Sequence, residues 1–263
     1  MKILNKIKSK LPFIKEERNS YKYYIIGNKN AYHRILSNKE KVLINNFQNN
    51  DGYKRSYSQD GEDMLLASLY DDIPNYSGFY IDIGAHDPIR FSNTQYFYEK
   101  GWRGINIDAT PGSMIKFFKL RPYDINIECG ISDNNKKLLY YCFEEPALNS
   151  FNSVISEERK NNGWKIKEKL YIQTRTINDI LRNNLPVNQK IDFINIDIEG
   201  MEFDIIKTFD FNSFSPKYFL IEDLKSINDY QNISDNELSR YLKENKYSPK
   251  LKSKRTTIYS RDY

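Results

Sequence analysis

The chain has 263 residues and a mass of 31.3 kDa, with 40 Lys and Arg against 35 Asp and Glu for a net charge of +5. A hydrophobic content of 39 % with 14 % aromatic residues excludes a wholly disordered chain, a collagen and a coiled coil. Two cysteines, Cys129 and Cys142, and two histidines, His33 and His86, are too few for a structural zinc site, and no obligatory disulfide is expected.

Charge divides the chain. Residues 1–50 hold 11 basic side chains against 3 acids, which leaves 29 against 32 for the rest. We read 1–50 as a basic amino-terminal arm and 51–263 as one domain. Ile3, Leu4, Ile7, Leu11 and Ile14 recur at helical intervals among Lys2, Lys6, Lys8, Lys10 and Lys15. That pattern suits either a solvated, frayed arm or a weak helix resting on an anionic membrane surface or acidic glycan. The lysines interrupt it too often for a secretory segment, and no apolar run reaches the roughly 18 residues of a membrane span. A cytoplasmic protein is therefore expected, with the arm as its candidate contact at the inner membrane face. A slightly acidic body without a basic and aromatic stripe argues against nucleic acid as a partner.

From Tyr57 onward, short apolar runs alternate with amphipathic stretches. The expected strands are 78–83, 104–108, 125–129, 190–197 and 217–222, with a weaker one at 138–143 where the alternation is not clean. Several are almost continuously apolar, as in a strand covered on both faces. Thr110 and Pro111 are expected to open a helix through Lys119, and Ser234 with Glu237 to box the start of a helix carrying Leu238, Tyr241 and Leu242. Residues 248–260 read as a terminal hairpin with Thr256, Ile258 and Tyr259 in its second arm. The sum is an α/β fold, Rossmann-like, with a mostly parallel doubly wound sheet and a terminal antiparallel hairpin.

The run Phe79-Tyr80-Ile81-Asp82-Ile83-Gly84-Ala85-His86-Asp87-Pro88 passes from a strand into a turn. Gly84 lets backbone approach a ligand, an acid at the strand end suits a cationic amine, and Asp108 at the next strand end suits ribose hydroxyls. His86 stands where a dinucleotide loop needs its second glycine, so a pyrophosphate is disfavoured and a phosphate-free nucleoside with an α-amino group, S-adenosylmethionine, fits better.

Asp197 ends the fourth core strand, at the edge where open α/β sheets bind ligands, and suits either proton acceptance or metal ligation. Glu222 and Asp223 end the next strand, so the three acids are expected together as hard oxygen ligands for Mg²⁺ or Mn²⁺. His86 is a second candidate base or metal neighbour. An acceptor pocket is expected from Phe91, Ser92 and Asn93 and from the irregular 144–165 stretch. There Phe143, Phe151 and Trp164 would stack on a sugar, and Asn149, Asn152 and Arg159 would bond its hydroxyls or a phosphate.

Five ordered motifs carry a specific resemblance: Tyr57-Ser58-Gln59-Asp60-Gly61-Glu62-Asp63; Asp82 to Pro88; Arg90-Phe91-Ser92-Asn93-Thr94; Gly101 to Pro111; and Asp192-Phe193-Ile194-Asn195-Ile196-Asp197-Ile198-Glu199-Gly200. Over about residues 56–225 the chain resembles the FkbM family of S-adenosylmethionine-dependent methyltransferases. The resemblance implies that Asp82, Gly84 and Ala85 line the methionine end of the cofactor and that Asp108 holds its ribose. It further implies that Ser132 and Asp133 flank the adenine, that Gln59 and Glu62 close over the cofactor, and that Glu199 orients the turn after Asp197. The activity so implied is O-methylation of a sugar hydroxyl, on a nucleotide-linked sugar or a surface polysaccharide precursor. A nucleotide-dependent enzyme of another class, such as an oxidoreductase, and a non-catalytic glycan- or membrane-associated module retaining the cofactor fold are the alternatives.

Overall fold

The computed structural model describes residues 22–24, 33–35, 54–224, 233 and 235–262. The chain divides into two compact units, Met1–Lys54 and Arg55–Tyr263. In the first, Lys22–Tyr24 pairs antiparallel with His33–Ile35. The apolar spacing at Ile3 to Ile14 and the cap residue Ser234 lie outside the described residues.

The second unit is built on a seven-stranded sheet. Its strands are β1 (Phe79–Ile83), β2 (Arg103–Asp108), β3 (Ile125–Glu128), β7 (Phe193–Ile196), β8 (Tyr218–Glu222), β9 (Tyr247–Lys252) and β10 (Thr256–Arg261), in the spatial order β9-β10-β8-β7-β1-β2-β3. The five strands from β8 to β3 run parallel, and the β9–β10 hairpin adds an antiparallel edge. A smaller sheet holds β4 (Gly130–Ile131), β5 (Lys137–Phe143) and β6 (Ile166–Arg175) in the order β4-β6-β5.

Alternation sorts the side chains of the large sheet into two layers. Ile81, Ile83, Ile105, Ile107, Ile194, Ile196, Phe219 and Ile221 face one core, covered by α5 (Ile177–Asn184), α6 (Glu202–Thr208) and α7 (Glu237–Glu244). Tyr80, Phe193, Tyr218, Leu220 and Ile258 face the other, which includes Leu66 and Ala67 of α1 (Glu62–Ala67), Phe97 of α2 (Gln95–Glu99), and Trp102. Each fully buried Ile or Phe contributes about 1.5–3 kcal/mol, so the central strands are the stable floor on which any site must stand.

Local starts differ from expectation at two helices. The helix expected from Thr110 begins at Met114 as α3 (Met114–Leu120), because Thr110 spends its hydroxyl on Tyr140 and Asn149 and residues 110–113 form a turn. The cap of α7 is Asn236, whose side chain accepts from the Ser239 amide. Helix α4 (Ser153–Asn161), capped by Asn152, occupies the middle of the 144–165 stretch that reads as irregular, and strand β6 follows directly after that stretch.

Candidate functional site

The sheet reverses its winding between β1 and β7, and the carboxyl ends of its parallel strands are where a ligand crevice is expected. Register fixes what stands there. Asp82 pairs with Asn106 on one side and Asn195 on the other, and Ile83 pairs with Ile107 and Ile196. One residue further on, Asp108, Gly84 and Asp197 form the lip, with Glu222 following Ile221 beside Ile196. The two acids at the ends of β2 and β7 are thus separated by a glycine. It has φ +81°, and a Cβ on it would lie 1.7 Å from the Asp197 carbonyl oxygen.

Above this lip opens a cleft of about 720 Å³, solvent-open space included. Gln59, Gly84, His86, Asp108, Asn149, Asp197 and Glu199 reach its wall, together with Phe91 and Phe151. Pro146 and Ala147 come from the expected 144–165 stretch, whereas sequence reasoning missed the remaining wall: Ile83, Ile107, Ala109, Thr110, Cys129, Ile131, Tyr140 and Ile198. Tyr140 is discoverable, since it sits in the weakly alternating β5 strand, where its hydroxyl bonds Thr110 and its ring packs at a tilt against Phe151, centroids 4.5 Å apart.

Asp108 is 7 % exposed, accepting from the His86 amide at 2.9 Å and the Thr110 amide at 2.7 Å. Each oxygen keeps a further lone pair, which is the capacity that a pair of vicinal hydroxyls requires. His86 adopts φ +52°, its Nε2 lies 3.3 Å from Arg90 Nη1, and desolvation holds its imidazole below the ordinary value against the pull of Asp108. A neutral ring at the cleft wall suits proton acceptance better than anion binding.

The opposite lip is acidic. Asp197, Glu199 and Glu222 each place a carboxylate oxygen within 4.8 Å of the others. Burial, then the neighbouring carboxylates, push Asp197 and Glu222 well above the ordinary carboxylate range. Glu199 is raised by burial and partly restored by Arg159, which pairs with it and donates to the Leu148 carbonyl at 2.7 Å. The turn that aims Glu199 inward is strained, with φ +59° there and +104° at Gly200. Glu202 holds it by accepting from the Ile198 and Gly200 amides at 3.0 Å, and burial pushes that carboxyl up to about 7.

Several expected residues stand elsewhere. Asp82 lies inside β1, one pleat beneath the lip, accepting from Thr94 Oγ1 at 2.6 Å and Asn195 at 2.9 Å. It belongs to a buried polar layer with Arg121, which is 0 % exposed and donates to Thr94, Ser92, Asn106 and the Pro88 carbonyl. Ser92 and Asn93 are tied into that layer, Asn93 through Asn195 at 2.9 Å. Ala85 packs under the cleft with Met114 and Phe117. Ser132 bonds Thr174, and Asp133 pairs with Lys136, so neither reaches the cleft wall. Glu62 accepts from Ser253 at 2.8 Å and from the Asp60 amide, fastening the 57–63 loop rather than facing the cleft.

Asp223 corrects the expected ligand triad. Neighbours in a strand point to opposite faces, so Asp223 cannot accompany Glu222, and its carboxylate accepts from Asn236 at 3.1 Å. Glu199 takes its place. Arg159, expected on the acceptor, is the counterion of Glu199, and Asn152 caps α4 and donates to Gly200. Phe143 is buried, and Trp164 is half exposed outside the cleft.

The fold is that of a doubly wound α/β domain with its cleft at the switch point of the sheet. Residues 82–249 match the methyltransferase FkbM domain, and the chain belongs to that family. Among solved structures it is similar to the methyltransferase FkbM from Methylobacillus flagellatus KT, at 15 % identity and a TM-score of 0.45, over 78 % of this chain and 48 % of that one. It is also similar to a provisionally assigned caffeoyl-CoA O-methyltransferase from Staphylococcus aureus, at 12 % identity and a TM-score of 0.40, over 87 % and 93 %. The chain spans about half the length of the first of these. No curated protein matches. No helix among the described residues is long and apolar enough to cross a membrane.

Proposed function

We propose that this methyltransferase uses S-adenosylmethionine to methylate a hydroxyl of a sugar, on a nucleotide-linked sugar or a surface polysaccharide precursor. The observation that carries the reading is the single lip on which Asp108, Gly84 and Asp197 border one cleft. The cradle fits the cofactor: Gly84 leaves no Cβ between the two acids, and Asp108 retains acceptor capacity beside an apolar wall of Ile107, Ile131 and Tyr140 suited to a flat base.

When bound, S-adenosylmethionine supplies a methyl carbon already activated on a sulfonium. Asp108 would hold the ribose, and the backbone at Gly84 would pass close to the methionine portion. Asp197, across the glycine, would receive the proton that the acceptor hydroxyl gives up as its oxygen bonds to the methyl carbon. Much of the remaining acceleration is positioning, which the rigid strand ends provide. Gln59, His86, Asn149 and the exposed ring of Phe91 at the wall offer the mixture of polar groups and aromatic surface that a sugar takes.

The test is calorimetry with S-adenosylhomocysteine followed by transfer of labelled methyl groups to a panel of nucleotide-linked sugars. A product heavier by one methylene on one sugar is expected. Tight binding of NAD in place of S-adenosylhomocysteine would overturn the cofactor, and tight cofactor binding with no transfer to any sugar would overturn the acceptor.

A further inference from the structure

We propose that Asp197, Glu199 and Glu222 bind one divalent cation, Mg²⁺ or Mn²⁺, at the acidic lip of the cleft. The placement of that ion beside the acceptor rests on the function proposed above; the ion site itself rests on geometry.

Three observations support it independently. The three carboxylate oxygens lie within 4.8 Å of one another. Oxygens shared by one Mg²⁺ or Mn²⁺, at about 2.1 Å from the ion, are about 3 to 4 Å apart, so a small side-chain adjustment completes the set. Glu222 is only 6 % exposed, and its Oε2 is buried with no hydrogen-bond partner. A carboxylate oxygen desolvated without a donor is destabilised, and a cation is what its surroundings otherwise lack. The local charge is also unbalanced. Arg159 pairs with Glu199, and Arg255, 2.5 Å from Asp60, also acts on Glu199, against the carboxyls of Asp197, Glu199, Glu202 and Glu222, so carboxyls outnumber guanidiniums around the cluster.

Chemistry narrows the ion. The donors are all carboxylate oxygens, with neither imidazole nor thiolate among them, which suits Mg²⁺ or Mn²⁺ rather than Zn²⁺. Asp197 and Glu199 line the cleft, leaving that side open to water or to an acceptor hydroxyl. Glu202 stands outside the set of mutually close oxygens and turns its carboxylate to the Ile198 and Gly200 amides. Asp223 is excluded by the pleat. Arg159 acts as the counter-charge that sets the electrostatic match, not as a ligand.

The experiment uses the chelator-treated full chain. Mn²⁺ is titrated with the free-ion electron paramagnetic resonance signal as readout, Mg²⁺ competition is measured by calorimetry, and S-adenosylhomocysteine binding is measured in parallel. One Mn²⁺ per chain is expected with a dissociation constant of about 1 mM or tighter. Glu222→Gln should weaken uptake at least about tenfold, and Asp223→Asn should leave it within about twofold. If Glu222→Gln fails to fold, Glu199→Gln carries the same expectation. No uptake by the wild-type chain at several times that concentration, or equal losses in Glu222→Gln and Asp223→Asn, overturns the site. Mn²⁺ binding without S-adenosylhomocysteine binding would overturn the proposed function and leave the ion site standing; the reverse would remove the ion site alone.

Discussion

The carboxyl ends of β2 and β7 carry the same residue type, Asp108 as the last residue of β2 and Asp197 just after β7, and they are finished in opposite ways. Asp108 is received by two backbone amides, which anchor its carboxylate and leave it acceptor capacity for a ligand. Asp197 is packed against two further acids and pushed toward protonation. A carboxylate with donors is equipped to hold hydroxyl groups; one among carboxylates is equipped to take up positive charge, whether a proton or a metal. One sheet edge thus offers two different environments about a single glycine.

The comparison breaks most severely if that glycine is filled. Gly84→Ala forces a Cβ into the Asp197 carbonyl at a φ of +81°, and should cost about 4 kcal/mol or more, read by denaturant unfolding. Next in size is the pH response of the acidic lip. Glu202 is raised to about 7 in the fold, so the folded protein binds a proton that the unfolded chain releases above its own, lower value. Its contribution is complete below the ordinary glutamate range and is lost as pH rises through about 7, a change of up to about 3 kcal/mol. Melting temperature should therefore fall between pH 5 and 8, and Glu202→Gln should flatten the slope.

On the other lip, Asp108→Ala should weaken S-adenosylhomocysteine by about thirtyfold, near 2 kcal/mol, while Asp197→Ala changes it less than about threefold. The reverse order in calorimetry would exchange the roles of the two ends. The smallest effect is expected at Glu222→Gln in chelator. Removing one of three crowded carboxylates should raise stability by about 1 kcal/mol, whereas Asp108→Asn, which disturbs a satisfied carboxylate, should lower it.

The strand ends were legible because buried parallel strands announce themselves as apolar runs, and the acid after each run marks the lip. Two errors came from reading ends without pleats. Asp82 is two residues before Gly84 and so lies one repeat below the lip, facing Arg121 instead of solvent. Adjacent acids at 222 and 223 must diverge. Glu199 is expected in the catalytic group with Asp197 and His86, orienting the turn, and not as a metal ligand, since the conformation that turns it inward depends on Glu202, Asn152 and Arg159, contacts spread over some fifty residues. Strand β6 alternates Ile166, Leu170, Ile172 and Thr174 with charged and polar residues, but its partner β5 is irregular in sequence, and neither arm announces the pair. Arg121 precedes a proline and carries no local signal for a wholly buried cation.

Gln59 reaches the cleft from a loop fastened to the far end of the domain: Asp60 to Arg255 at 2.5 Å, and Glu62 to Ser253 at 2.8 Å, across 195 and 191 positions of chain. The hairpin thus works as a hasp. Its bend is remote in sequence from every strand-end acid at the cleft, yet loosening it would free one wall of the chamber, so damage to the tail would be felt first as slack around the ligand.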